Sequence, residues 1–183
     1  ELQNSRLSMV NDGRLGQNDL AEGEYLRYAV TENGISSRSI PGQDQAYQLS
    51  NSYEHDEYGF ATEDARETKK AVDKRAAKLA ALKADLPQPL YLGSKNPQQI
   101  FISFGSTINV LKEVLLDDAA KNLALIHLPC IYPFPAAELE ALLVNKTAEI
   151  FVIEANSTGQ LAALLRRETQ LSQLRSILRY DGR

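Results

Sequence analysis

Hydrophobic and polar positions change rhythm twice along the chain. Up to about residue 60 there is no sustained period. "TENGISSRSIPGQ" (31–43) is turn chemistry, with Asn33-Gly34 and Pro41-Gly42 as loop markers. "YLRYAV" (25–30) is the one short strand expected there. A stretch this irregular predicts an arm that packs on a partner or on another part of its own chain, not a free-standing core.

At Thr62 the texture becomes helical. "TEDARETKKAVDKRAAKLAALKAD" has no Gly or Pro and is rich in Ala, Lys, Glu and Leu. Thr62 is the expected N-cap, with Glu63 and Asp64 at the positive end of the helix dipole. Ala65, Val72, Ala76, Leu79 and Leu82 or Leu86 trace a stripe, and Pro87 and Pro89 stop the helix. The pattern predicts a long, solvent-faced connecting helix over 62–86.

From Leu90 apolar runs and helical patterns alternate. Strands are expected at "QIFISFG" (99–105), "LALIHL" (123–128), "AEIFVIEAN" (148–156) and "RSILRYDG" (175–182). Helices are expected at 106–122, capped by Ser106 or Thr107, at 136–146 after the proline corner "PCIYPFP", and at 157–170. Continuously apolar strands joined by helices predict an α/β domain over 87–183 with a parallel sheet covered on both faces. Ligands gather at the carboxyl ends of such strands. Ser106, Thr107, Glu154 and Asn156 are the polar groups expected at that edge.

The 183 residues are 43% hydrophobic and 24% charged, with a net charge of −4 and a pI near 5.3. That balance argues against a nucleic-acid or membrane-surface binder, which needs a dominant basic face. The single cysteine, Cys130, has no partner for an internal disulfide and falls short of the four thiolates of an iron–sulfur cluster. A reducing, cytoplasmic setting is the expectation. No apolar run reaches the roughly 20 residues that span a bilayer. The chain opens at Glu1 in a polar passage, which reads as a piece of a longer protein.

The densest chemistry is "SNSYEHDEYGF" (50–60), where Glu54, His55, Asp56 and Glu57 stand in a row. Adjacent side chains rarely all face one ion, and the other histidine, His127, is far along the sequence. The spacing matches neither a zinc motif nor a calcium loop. A hydrogen-bonded turn is the favoured reading, with contact to a partner subunit as the alternative. "FGST" lacks the glycine density of a phosphate loop. "IEANSTGQL" offers a rim carboxylate beside ordinary caps. Cys130 has no local base to make it a nucleophile. No residue is assigned a catalytic, metal-binding or cofactor-binding role.

Several segments together resemble the α subunit of 2-oxoacid:ferredoxin oxidoreductases, most closely the 2-oxoglutarate type. "YLRYAVTENGISSRSIPG" is similar to that family's Tyr-x-Arg-Tyr…Gly-Ile-Ser-Pro-Arg…Pro-Gly passage, and "EHDEYG" with "DKRAAKL" to its Glu-His-Asp-Glu-x-Gly arm and following helix. "FGST", "YPFP", "IEANSTGQL" and "LRYDGR" resemble markers of its C-terminal domain, in order over roughly residues 12–183. Ser37 and Phe104 depart from the proline and tryptophan common there.

The resemblance implies a C-terminal portion: an arm (1–61) following a thiamine-type domain, a connecting helix, and a domain like the transketolase C-terminal domain. It implies a structural and assembly role, with no cofactor held by this portion. Thiamine diphosphate, Mg and an iron–sulfur cluster would serve the whole complex, which would convert a 2-oxoacid to an acyl-coenzyme A and pass electrons to ferredoxin. The partners implied are the β subunit and the thiamine-type domain of the same chain. Arg27, Arg38, Glu54, His55, Asp56 and Glu57 are the expected arm or subunit contacts. The rival reading is an independent small-molecule-binding module at the sheet's carboxyl edge.

Overall fold

The computed structural model describes residues 24–144 and 147–182. The polar passage before residue 24, the end of the helix expected to reach 146, and Arg183 lie outside the described residues. The chain divides between Asp85 and Leu86 into two compact units.

In the first unit, an arm of successive turns lies on helix α1 (Ala65–Leu82). Almost nothing apolar holds it together. Among the described residues of the arm, Ala46 is the only buried hydrophobic one. Side chains tie its backbone instead. The Tyr25 hydroxyl donates to the Ser37 carbonyl at 3.1 Å and accepts from the Ser39 N–H at 2.8 Å. Ser36 Oγ donates to the Ala29 carbonyl at 2.9 Å. The strand expected at 25–30 is absent. The Ala29 N–H donates to the Leu26 carbonyl at 3.2 Å, closing a turn where a strand would run on.

α1 begins two residues later than Thr62 suggested. Asp64 Oδ1 accepts from the Arg66 and Glu67 amides at 2.9 and 3.1 Å, while Thr62 Oγ1 accepts only from the Asp64 N–H. The residue whose side chain reaches the second and third helical amides is the cap, and here that is Asp64. No α1 residue is buried. The expected apolar stripe is not the packed face: Val72 and Leu82 stay 48% and 43% exposed.

The second unit is a five-stranded sheet, β1 (Leu90–Gly93), β2 (Gln99–Phe104), β3 (Leu123–Leu128), β4 (Glu149–Glu154) and β5 (Leu174–Leu178), ordered β1-β3-β2-β4-β5. β3, β2, β4 and β5 are parallel, with Ile102 opposite both Ile126 and Val152. β1, which the sequence reading did not propose, pairs antiparallel with β3, so the sheet is mixed and not wholly parallel. Its four-residue length and its prolines upstream hide it from periodicity.

One face of the sheet packs Ile100, Ile102, Ala124, Ile126, Leu128 and Val152 against Leu139 of α3 (Ala136–Leu143) and Leu161, Ala162 and Leu165 of α4 (Gln160–Glu168). Burying each of the Ile, Leu and Val side chains stabilises the fold by about 1.5–3 kcal/mol. The α/β class expected from the alternation is the one observed. The helix expected over 106–122 is shorter. α2 (Thr107–Val114) tightens as the Leu116 and Asp117 amides bond three residues back, and Asp117 then caps a separate 3₁₀ turn at Asp118–Ala120. Aspartate pairs favour caps over helix interiors.

Candidate functional site

The sequence candidates fall into two groups, one in each unit. In the first unit, the four residues of the acidic stretch do four separate jobs. Glu54 takes both terminal nitrogens of Arg75, at 2.9 and 2.7 Å. That hydrogen bond holds its carboxyl below the usual range and pushes the Arg75 guanidinium up. His55 stacks on Tyr28 with ring centroids 3.8 Å apart. Asp56 Oδ1 accepts from the amides of Tyr58, Gly59 and Phe60, each at 3.0 Å. Glu57 Oε1 accepts from the Val30 N–H at 2.7 Å. Among the described residues no three His, Cys, Asp or Glu side chains converge to hold a metal.

Two glycines make the packing possible. Gly59, at φ +96°, lies where a Cβ would sit 2.5 Å from the Leu49 carbonyl oxygen. Gly34, at φ +72°, brings the arm onto the backbone of α1, with a would-be Cβ 2.3 Å from the Lys74 carbonyl oxygen. Only a residue without a side chain fits both the conformation and the approach.

Between arm and helix lies a cavity of about 430 Å³. Arg27 and Arg38 enter its wall from the arm, with Tyr28, His55, Asp56 and Glu57. The helix contributes Glu67, Lys70, Lys74, Arg75 and Lys78. Lys74 Nζ donates to the Tyr28 carbonyl at 2.7 Å. Burial, then the charge of Arg27, pulls its ammonium below the ordinary lysine range. The lysines of this wall were missed by the sequence reading, although Lys70, Lys74 and Lys78 stand four apart in "KKAVDKRAAK" and so share one helix face.

In the second unit, Glu154 and Asn156 stand together at the end of β4. Both are occupied by the start of α4. Glu154 is 1% exposed; its Oε2 accepts from the Leu161 N–H at 2.6 Å and from Asn156 Nδ2 at 2.8 Å, and its Oε1 from the Ala162 N–H at 3.1 Å. Asn156 Oδ1 accepts from the Thr158, Gly159 and Gln160 amides. Ser106 occupies the N-cap position of α2, but its side chain makes no cap bond; Thr107 is the first helical residue. Ser103 and His127, side by side on β2 and β3, share a buried 3.3 Å hydrogen bond. Burial, with Lys112 as a smaller contributor, lowers the affinity of His127 for a proton.

The described residues thus form an arm on a helix and, in the second unit, a mixed α/β sheet. The chain's homologues are α subunits of 2-oxoacid:ferredoxin oxidoreductases. The α subunit of 2-oxoacid:ferredoxin oxidoreductase 2 of Aeropyrum pernix is 33% identical over 179 residues, covering 95% of this chain and 27% of that one. The α subunit of 2-oxoacid:ferredoxin oxidoreductase 1 of Sulfurisphaera tokodaii is 28% identical over 162 residues, or 87% of this chain and 25% of its own. The chain thus spans about a quarter of the length of these relatives. A 2-oxoglutarate:ferredoxin oxidoreductase from Magnetococcus marinus, with 2-oxoglutarate, coenzyme A and succinyl-CoA bound, superposes with a TM-score of 0.76 at 25% identity. That match covers 87% of this chain and 28% of the other. No family model matches the chain.

Proposed function

We propose that this chain is the C-terminal portion of the α subunit of a thiamine diphosphate-dependent 2-oxoacid:ferredoxin oxidoreductase of the 2-oxoglutarate type, and that its role is structural. The observation that carries the reading is similarity to an α subunit along 95% of the chain. The full complex would decarboxylate the 2-oxoacid oxidatively, deliver an acyl-coenzyme A and reduce ferredoxin in the cytoplasm. Among the described residues no helix is long and apolar enough to cross a membrane.

The residues present do not fit the metal groups of such a complex. One thiol, Cys130, bonded to the Tyr132 carbonyl, is too few for a cluster, and among the described residues no carboxylate set converges for Mg. No step is routed through either. What this chain offers is surface. Tyr47, Tyr53 and Phe60 are 84%, 74% and 61% exposed on the arm. Aromatic side chains are enriched at protein interfaces. The arm, held to α1 by Gly34, Lys74 and the Glu54–Arg75 pair, would carry them against the thiamine-type domain or the β subunit.

Co-expression with the β subunit and the thiamine-type domain tests this. The three parts should co-purify, and Tyr53→Ser with Phe60→Ser should release the chain. A chain that stays alone beside both partners would overturn the reading. So would turnover of 2-oxoglutarate by the chain on its own.

A further inference from the structure

The arm–helix cavity has more positive charge than the fold uses. Its wall carries three carboxylates against six cations, Arg27, Arg38, Lys70, Lys74, Arg75 and Lys78. Asp56 collects three backbone amides, Glu57 takes the Val30 N–H, and Glu67 pairs with Lys70 at 2.7 Å. Of the cations, Arg75 is held by Glu54, and Lys74 bonds a neutral carbonyl. Arg27 lies over the Tyr28 ring at 5.3 Å, and among the described residues neither Arg27 nor Lys78 has an acidic partner. Burial first, then the charge of Arg27 and, less, that of Lys78, lower the proton affinity of Lys74 against the opposing charge of Glu57; a bound anion would offset the cationic part of that cost.

We propose that this cavity is a binding site for a phosphate-bearing organic anion, with Arg27, Lys74 and Lys78 holding the phosphate and the Tyr28–His55 stack forming the wall for the organic part. Three cations lining one cavity exceed what one carboxylate needs, since within this same unit a single arginine engages both oxygens of Glu54. A phosphate has more charge and more acceptor oxygens, and it uses both guanidinium and ammonium donors. A volume of about 430 Å³ is larger than inorganic phosphate requires and falls in the usual range of small-molecule sites. The apolar edge supplied by Val30 and Ile35 suits an organic body. This assignment goes beyond the subunit role and does not depend on it: the first is read by anion titration, the second by co-purification.

The test is calorimetric titration of the 183-residue chain at low ionic strength with sodium pyrophosphate, with 2-oxoglutarate as the dicarboxylate comparison. Lys74 is left in place because it also ties the arm to α1. One pyrophosphate should bind, and 2-oxoglutarate should bind more weakly. Arg27→Gln and Lys78→Gln should each weaken pyrophosphate binding about tenfold, the scale of one charge-assisted hydrogen bond. Lys121→Gln in the second unit should change nothing. Amide spectra of each variant verify the fold, and pyrophosphate should shift the Tyr28 and Gly34 resonances of the unaltered chain. Absence of saturable binding, equal weakening by Lys121→Gln, or tighter binding of 2-oxoglutarate would each overturn the assignment.

Discussion

Gly34 rests directly on the backbone of Lys74: a methyl group in its place would stand 2.3 Å from the Lys74 carbonyl oxygen and 2.6 Å from the Lys78 nitrogen. Neither atom can step aside without unwinding α1. Gly34→Ala therefore forces the arm off the helix, adding a steric clash to the strain of φ +72°. The expected loss in arm protection, read by amide hydrogen exchange, exceeds about 1 kcal/mol. Gly42→Ala is the control, because Gly42 has φ +91° but nothing within 4 Å. It should cost less. Equal losses would refute the packing argument.

The Glu54–Arg75 pair should contribute only modestly. Its geometry is bidentate, but the Arg75 side chain is 58% exposed, so water and salt screen it. A double-mutant cycle with Glu54→Gln and Arg75→Gln should give a coupling of no more than about 1 kcal/mol, falling as salt rises. The folded state holds Glu54 below its usual proton affinity. The unfolded chain therefore binds more protons once pH drops below the ordinary glutamate value. The contribution is complete above that value and disappears as pH falls through the folded one.

Glu154→Gln should be the most damaging polar change in the second unit. The carboxylate is buried and accepts two α4 amides and the Asn156 side chain. An amide group turns one acceptor into a donor facing donors. Hydrogen bonds to a charged group contribute about 1.5–3 kcal/mol, so chemical denaturation should show a drop of about that size. A shift under 0.5 kcal/mol, roughly the scatter of surface substitutions, would contradict it.

His127 gives the second unit a pH response of definite sign. Burial first, and Lys112 second, oppose its protonation, while Ser103 lies against Nδ1. As pH falls below about 6.5, the ordinary histidine value, the unfolded chain takes up the proton before the folded one does. Stability is complete above that pH and declines below it. Urea melts from pH 7.5 to 5.5 should show this slope, and His127→Gln should flatten it. An unchanged slope would assign the response elsewhere.

The sheet was legible because β2, β3 and β4 are long apolar runs with turn residues at their ends, and burial on both faces leaves no other use for "IFISF" or "LALIHL". β1 was not, being four residues whose pairing comes from β3 and not from their own pattern. In the first unit, the irregular pattern pointed to an arm that packs on something else, but not to which side of α1 it would take. Apolar spacing pointed to Val72 and Ala76. The packed side is the one with Ala71, Lys74 and Lys78, because small residues and lysine stems admit the backbone of Gly34. The acidic row at 54–57 concentrates titratable groups in sequence, yet neighbouring side chains diverge. Each therefore found a separate partner.

The tie from Glu154 to the Leu161 and Ala162 amides has a consequence for how this chain can vary. It measures the loop 155–159 from both ends: the carboxylate is fixed by β4, and the amides are fixed by the packing of α4. One residue inserted there would rotate the helix by about 100°, since 3.6 residues make a turn, and carry Leu161 and Leu165 out of the interior. The segment between α2 and β3 has no such ruler, because its turns are capped from within by Asp117. Relatives of this chain should therefore differ in length after Val114 and keep a constant length between Glu154 and Gln160.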